Sequence, residues 1–174
     1  MKETLRYGFI LAMICVVASG LLAGMNSLTK PRIIAQAQAE EETALREVMP
    51  FGEHFEPIKK GEDIIYYKVH NKDGKLIGVA FKASGKGYSS VIDTLVGMTQ
   101  DGSITAIKIL NHNETPGLGA RVAEPSFTGQ FTDKNLGGLT SIQAITGATI
   151  SSKAVIDSVQ EKAKEIQKLI NDER

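Results

Sequence analysis

The sequence predicts an α+β protein, with an N-terminal transmembrane helix followed by an antiparallel sheet packed by helices. Three observations predict it. Tyr7 to Leu28 runs 22 residues without a charge. Four β-branched runs then follow one another across short Gly-containing turns. The chain closes on a segment with an apolar stripe at helical period.

The first element is the uncharged run YGFILAMICVVASGLLAGMNSL. A bilayer core needs about 20 apolar residues in helical form, so the run is long enough to span. A cleaved signal has an apolar core of only about 7–15 residues. Ala35-Gln36-Ala37 resembles a cleavage site, but it lies beyond Lys30-Pro31-Arg32. The segment therefore reads as an uncleaved anchor. Lys2, Arg6 and the amino terminus nearly balance Lys30 and Arg32, so charge alone leans only slightly to an N-terminus inside.

Pro31 is expected to interrupt the helix at the interface, with a second helix over Ile33–Met49. Ile33, Ile34, Ala37, Ala44, Leu45 and Val48 fall near one face of it, opposite Glu40, Glu41 and Glu42. Pro50-Phe51-Gly52 ends it. The expected divisions are an anchor over 1–30, a stalk helix over 31–50 and an extracytoplasmic domain over 51–174.

Ile64–Val69, Leu76–Lys82, Val91–Met98 and Ile104–Leu110 read as strands of an antiparallel meander. His112–Thr140, rich in Gly, Asn and Pro, is expected to be irregular, functional or mobile. The final helix is predicted over Ser152–Ile170, with Val155, Ile156, Val159, Ala163, Ile166, Leu169 and Ile170 as its core stripe.

Composition removes several classes of function. Lys+Arg and Asp+Glu number 20 each, which argues against nucleic-acid binding. Cys15 is the single cysteine, so the chain alone forms neither a disulfide nor an iron–sulfur cluster. His54, His70 and His112 show no paired metal spacing.

Chemistry concentrates in Thr146-Gly147-Ala148-Thr149-Ile150-Ser151-Ser152-Lys153, just before the last helix. Gly147 and Ala148 allow a tight turn and close approach of a ligand. A helix start offers free N–H groups and a positive dipole end, which suit a phosphate. Thr149, Ser151 and Ser152 add hydroxyls, and Lys153 adds a charge. A plain Ser/Thr N-cap would leave the same residues. A nucleotide P-loop is disfavoured, because Ser152 stands where its second Gly belongs and Ala154 where its Ser/Thr belongs. The second segment is His112-Asn113-Glu114-Thr115-Pro116-Gly117-Leu118-Gly119, a strong turn signal that by itself is only a loop.

Thr-Gly-Ala-Thr-x-Ser before a final helix, Glu-Thr-Pro-Gly-Leu-Gly upstream and Gly87-Tyr88 opening a strand together resemble the FMN-binding domain family. That family includes the G subunit of Rnf-type ion-translocating electron-transport complexes and the C subunit of sodium-translocating NADH:quinone reductases. The resemblance extends from the anchor through Asn26-Ser27-Leu28-Thr29-Lys30 to the last helix, and the Glu-Thr-Pro-Gly-Leu-Gly-Ala context favours the Rnf G subunit. The motif often opens with Ser or Asp where this chain has Thr146, upstream of the acceptor position.

The resemblance implies FMN esterified through its phosphate to Thr149, installed by a flavin transferase that uses FAD and magnesium. Thr146, Gly147, Ala148, Ser151 and Ser152 would form the phosphate end, with Ser151 and Ser152 pointing away from the presented hydroxyl. Glu114, Thr115, Leu118 and Gly119 would line the ring pocket. It further implies an electron-transfer subunit of a translocase rather than a stand-alone catalyst. Its partners would be other membrane subunits, with ferredoxin and NAD as the end couple. The location would be the cytoplasmic (inner) membrane, with the N-terminus inside and the C-terminal domain outside. Two readings from other classes are a membrane-tethered module binding a phosphorylated ligand and a scaffold protein without cofactor.

Overall fold

The computed structural model describes residues 2–61 and 63–172. Met1–Glu42 and Thr43–Arg174 form two compact units. The first unit holds most of helix α1, Lys2–Val48. Between Tyr7 and Leu28 its large apolar side chains are exposed, and the helix is long and apolar enough to cross a membrane.

The expected break at Pro31 is absent, because α1 runs through it as one element of 47 residues. A proline removes one N–H bond and crowds the preceding turn at about 3 kcal/mol, a local cost that long flanking helix on both sides can carry. The expected apolar face of the 33–49 segment is buried only at its end. Ala44, Leu45, Val48 and Met49 are buried, whereas Ile33 and Ala37 are exposed. The side chains of Lys2 and Ile34 lie outside the described residues.

The second unit is built on five antiparallel strands in the order β1-β2-β3-β4-β5. They are β1 His54–Lys60, β2 Asp63–His70, β3 Leu76–Lys86, β4 Val91–Thr99 and β5 Ile104–Asn111. The last four match the predicted runs. β1 is not among those runs, since its sequence HFEPIKK buries no side chain fully. Pro57 fits there because β1 is an edge strand, where a missing ladder donor is tolerated.

Strand alternation gives the sheet two apolar faces. On one, Tyr66, Val79, Phe81, Ile92, Val96 and Ile107 pack with helix α3, Thr149–Asp172, through Val155, Val159, Ala163 and Ile166. On the other, Tyr67, Val69, Ala80 and Leu95 pack against Ala44, Leu45, Val48 and Met49. Thr105 Oγ1 donates to the Val48 carbonyl at 2.5 Å and Lys108 Nζ meets Glu47 Oε1 at 2.6 Å, fastening the end of α1 to β5. This unit is thus a helix–sheet–helix sandwich, an α+β arrangement.

The 112–140 stretch is irregular only in part, over 112–118 and 132–137, and it is packed rather than loose. It winds through a 3-10 turn at Gly119–Ala123, the short helix α2 at Pro125–Thr128, and further 3-10 turns at Gly129–Phe131 and Gly138–Ser141. Val122, Phe127, Phe131 and Leu139 from these turns are buried in the α3-side core. The Phe127 and Phe131 rings meet edge to face with centroids 5.6 Å apart. Asp133 and Lys134 exchange backbone hydrogen bonds with Ile104 at 2.8 Å each, which pins the stretch to the start of β5.

Candidate functional site

Helix α3 starts at Thr149, three residues before its predicted start at Ser152, and this shift defines the site. Ala148 N donates to the Ile145 carbonyl at 2.9 Å, closing a turn in which Gly147 has φ +84°. A type II turn requires positive φ at its third residue, which explains the glycine. The first helical bond runs from Ser152 N to the Ala148 carbonyl at 2.9 Å. The N–H groups of Thr149, Ile150 and Ser151 therefore have no acceptor among the described residues. Free N–H groups at a helix start are ready donors to a phosphate.

The second turn uses the same chemistry. Leu118 N donates to the Thr115 carbonyl at 3.2 Å, with Pro116 and Gly117 at the corner and Gly117 at φ +76°. Pro pre-sets the first corner residue and Gly supplies the second. The two turns approach each other, for a β-carbon on Gly147 would meet Leu118 Cδ2 at 3.4 Å.

Between the turns lies a cavity of about 550 Å³ lined by Tyr88, Glu114, Thr115, Leu118, Gly119, Gly147, Ala148, Thr149, Ile150 and Ser151. Its volume falls within the range of small-molecule and cofactor sites. Tyr88, Leu118 and Ile150 expose apolar surface at the mouth. Sequence reasoning did not place Tyr88 or Ile150 in the wall, although Gly87-Tyr88 formed part of the resemblance.

The three neighbouring hydroxyls differ sharply. Thr149 is exposed and its hydroxyl makes no hydrogen bond among the described residues. Ser152 is buried away from the cavity; its Oγ donates to the Ala148 carbonyl at 2.9 Å and accepts from Ile145 N at 3.0 Å. Ser151 was expected to point away, but it lines the cavity, with Oγ donating to Glu114 Oε2 at 2.6 Å. Its direction follows from the earlier helix start, which moves it from before the helix into the first turn. Thr146 is exposed beside Gly147 and stands outside the lining.

Glu114 does more than face the cavity. It is 5% exposed, and Oε1 accepts from Ser89 N at 2.9 Å and Ser90 N at 3.0 Å. A β-carbon on Gly119 would stand 2.6 Å from Oε2, so only glycine lets the loop close over the carboxylate. Glu114 thus ties the 87–90 turn, its own loop and the first turn of α3 together. Burial pushes its carboxyl up, but the hydrogen bonds from Ser151 and from the Ser90, Ser89 and Tyr88 N–H groups outweigh burial and hold it below the usual 4.5.

The observations fit a flavin mononucleotide. Free helix-start N–H groups, a hydroxyl without a hydrogen bond among the described residues, and the exposed apolar side chains of Tyr88, Leu118 and Ile150 all border one cavity of suitable volume.

Residues 87–164 match the FMN-binding domain family and residues 1–48 the RnfG N-terminal region. Among similar proteins, the G subunit of the proton-translocating ferredoxin:NAD(+) oxidoreductase complex of Clostridium ljungdahlii is 34% identical over 90% of this chain and 88% of its own length. The G subunit of an ion-translocating oxidoreductase complex of Methanosarcina acetivorans is 34% identical over 91% of this chain and 92% of its own. The G subunit of the Na(+)-translocating ferredoxin:NAD(+) oxidoreductase complex of Acetobacterium woodii is 32% identical over 91% and 89%. Among solved structures, the C subunit of the Na(+)-translocating NADH-quinone reductase from Parabacteroides distasonis shares the fold. Its TM-score is 0.54, with 14% identity over 78% of this chain and 95% of that one. A chain this similar to several G subunits along nearly its whole length, and matching both family regions, belongs to the G-subunit family of ion-translocating oxidoreductase complexes.

Proposed function

We propose that this chain carries FMN covalently, through a phosphoester to Thr149 Oγ1, and relays electrons as an anchored subunit of an ion-translocating ferredoxin:NAD oxidoreductase complex. One observation carries the reading. Of the three hydroxyl residues at the start of α3, only Thr149 both lines the cavity and has a hydroxyl with no hydrogen bond among the described residues. The N–H groups of Thr149, Ile150 and Ser151 would hold the phosphodiester charge. Tyr88, Leu118, Gly119 and Ile150 would contact the ring, and Thr115 would border it. Ser152, Gly147, Ala148 and Thr146 act through the turn that presents Thr149, while Glu114 braces it.

In the attachment step the Thr149 oxygen bonds to the FMN-side phosphorus of FAD. The anhydride bond breaks, AMP leaves and the hydroxyl proton passes to the transferase or to water. No electrons change hands, and the partner for this step is a magnesium-using flavin transferase. FMN bound here supplies reversible uptake of one or two electrons. The chain positions the cofactor and holds it at the membrane through the N-terminal anchor. Residues 1–30 serve as the anchor in the cytoplasmic membrane, 31–50 as a stalk, and 51–174 as the FMN domain on the extracytoplasmic face. Permanent attachment suits that face, where a dissociated cofactor could not be replaced.

The test is co-expression of the full chain with the transferase, then a denaturing gel and peptide mass mapping. A fluorescent yellow band with FMN, less water, on Thr149 is expected. Thr149→Val keeps the branched shape, removes the nucleophile and should abolish the band. Flavin that leaves on denaturation would favour a non-covalent phospholigand site, and no flavin at all a scaffold.

A further inference from the structure

Glu114 is the only charged side chain among the residues lining the cavity. Every partner that holds it among the described residues is neutral: the Ser151 and Ser90 hydroxyls and the N–H groups of Tyr88, Ser89 and Ser90. Among the described residues no lysine, arginine or histidine forms an ion pair with it. β-Carbons on Gly87 and Gly119 would stand 2.5 Å and 2.6 Å from its two oxygens, so these glycines close over it and leave no room for a cation to approach there. Buried charges are normally paired with an opposite charge, and among the described residues this one is held by hydrogen bonds alone.

We propose that Glu114 sets the flavin's potential, its fixed negative charge, hydrogen-bonded but without a cationic partner in the cavity wall, opposing the arrival of electrons on the ring. This deepens the FMN reading and rests on it. An electron delivered from the neighbouring carrier of the complex adds one negative charge to the cavity, and only a proton from solvent cancels it. A fixed carboxylate in a poorly solvated wall repels that added charge, because Coulomb interactions are weakly screened there. It therefore lowers the reduction potential, and it holds more firmly any proton that the reduced ring has taken up. A brace alone would have neither effect. The hydrogen bonds to Glu114 shape the turns, whereas the charge acts on the redox equilibrium.

The experiment is a potentiometric titration of the flavin-loaded full chain in detergent, followed by its absorption spectrum. Three variants are compared with the unmodified protein. Glu114→Gln keeps the volume and removes the charge. Its reduced-to-oxidised ratio at a fixed potential should rise about tenfold, a shift of about 59 mV upward for a one-electron step. The pH at which the reduced flavin gives up its proton should fall in the same variant. Glu114→Asp keeps the charge and should stay near the parent. Ser89→Lys leaves the Ser89-position N–H in place and adds a cation at the exposed turn, so it should shift the potential upward by a smaller amount. If Glu114→Gln does not load, Ser89→Lys decides. An unmodified chain without covalent flavin removes the reading beneath the proposal. A loaded parent whose potential neither Glu114→Gln nor Ser89→Lys changes overturns the proposal alone, as does a Glu114→Asp shift equal to that of Glu114→Gln.

Discussion

Thr94 is fully buried in β4 between Ile92 and Val96, and among the described residues its hydroxyl has no hydrogen-bond partner. An unsatisfied buried donor costs about 1–3 kcal/mol, while an apolar group of the same shape costs little. Thr94→Val should therefore stabilise the solubilised chain by up to about 1 kcal/mol, read as a higher urea midpoint with the denaturant slope unchanged. Glu114 presents the opposite case, a buried acceptor whose bonds all favour the charged form. Its folded value lies below the usual 4.5, so its contribution is complete above that pH and is lost as pH falls through the folded value. Urea unfolding between pH 7 and pH 3 should show this acid slope in the parent and a shallower one in Glu114→Gln. Thr149→Ser keeps the oxygen but frees χ1, so its flavin loading should be slower or partial, as a time course of gel fluorescence would report.

The two presenting turns and the helices carry the next level of argument. A β-carbon on Gly117 would meet nothing within 4 Å, so replacing it costs only backbone strain at positive φ. That strain is about 1–3 kcal/mol for an ordinary residue and least for Asn. Gly117→Val should load flavin poorly or with an altered spectrum, and Gly117→Asn should load nearly as the parent does. In α1, Gly20 and Gly24 leave open space one turn apart, the spacing that lets two membrane helices approach closely. Replacing both with Leu should weaken co-purification with the other membrane subunits while flavin content stays constant. Elements of this kind were legible in the sequence to different depths. β2 to β5 were readable because alternation and glycine turns mark them. β1 was hidden because an edge strand with its side chains largely in solvent has no apolar alternation to show. The 3-10 turns were hidden because pieces of three to five residues carry no period, although Phe127 and Phe131 along the same stretch are core. Thr149 and its turn were readable as a local motif. The Glu114 brace was not, since its donors lie 24, 25 and 37 residues away in the chain.

At the scale of the whole molecule, the flavin reading requires the folded unit to lie across the membrane from the amino terminus. A reporter active only outside the cytoplasm, fused after Arg174, should be active, and a cytoplasm-only reporter at the same place should be silent; the reverse pattern would overturn the proposed orientation. The cavity wall draws on three separated stretches, Tyr88 with its turn, Glu114–Gly119, and Gly147–Ser151 at the head of the last helix. A ribosome that has delivered only the first two has delivered no acceptor and no positive helix end. Thr149, the proposed acceptor, emerges with helix α3, which also completes one face of the core. Under the proposed attachment, maturation would therefore have a built-in order: the last helix is made, the unit crosses the membrane and folds, and only then does a substrate for the transferase exist. The yellow colour proposed for the loaded protein would then double as a certificate of correct folding.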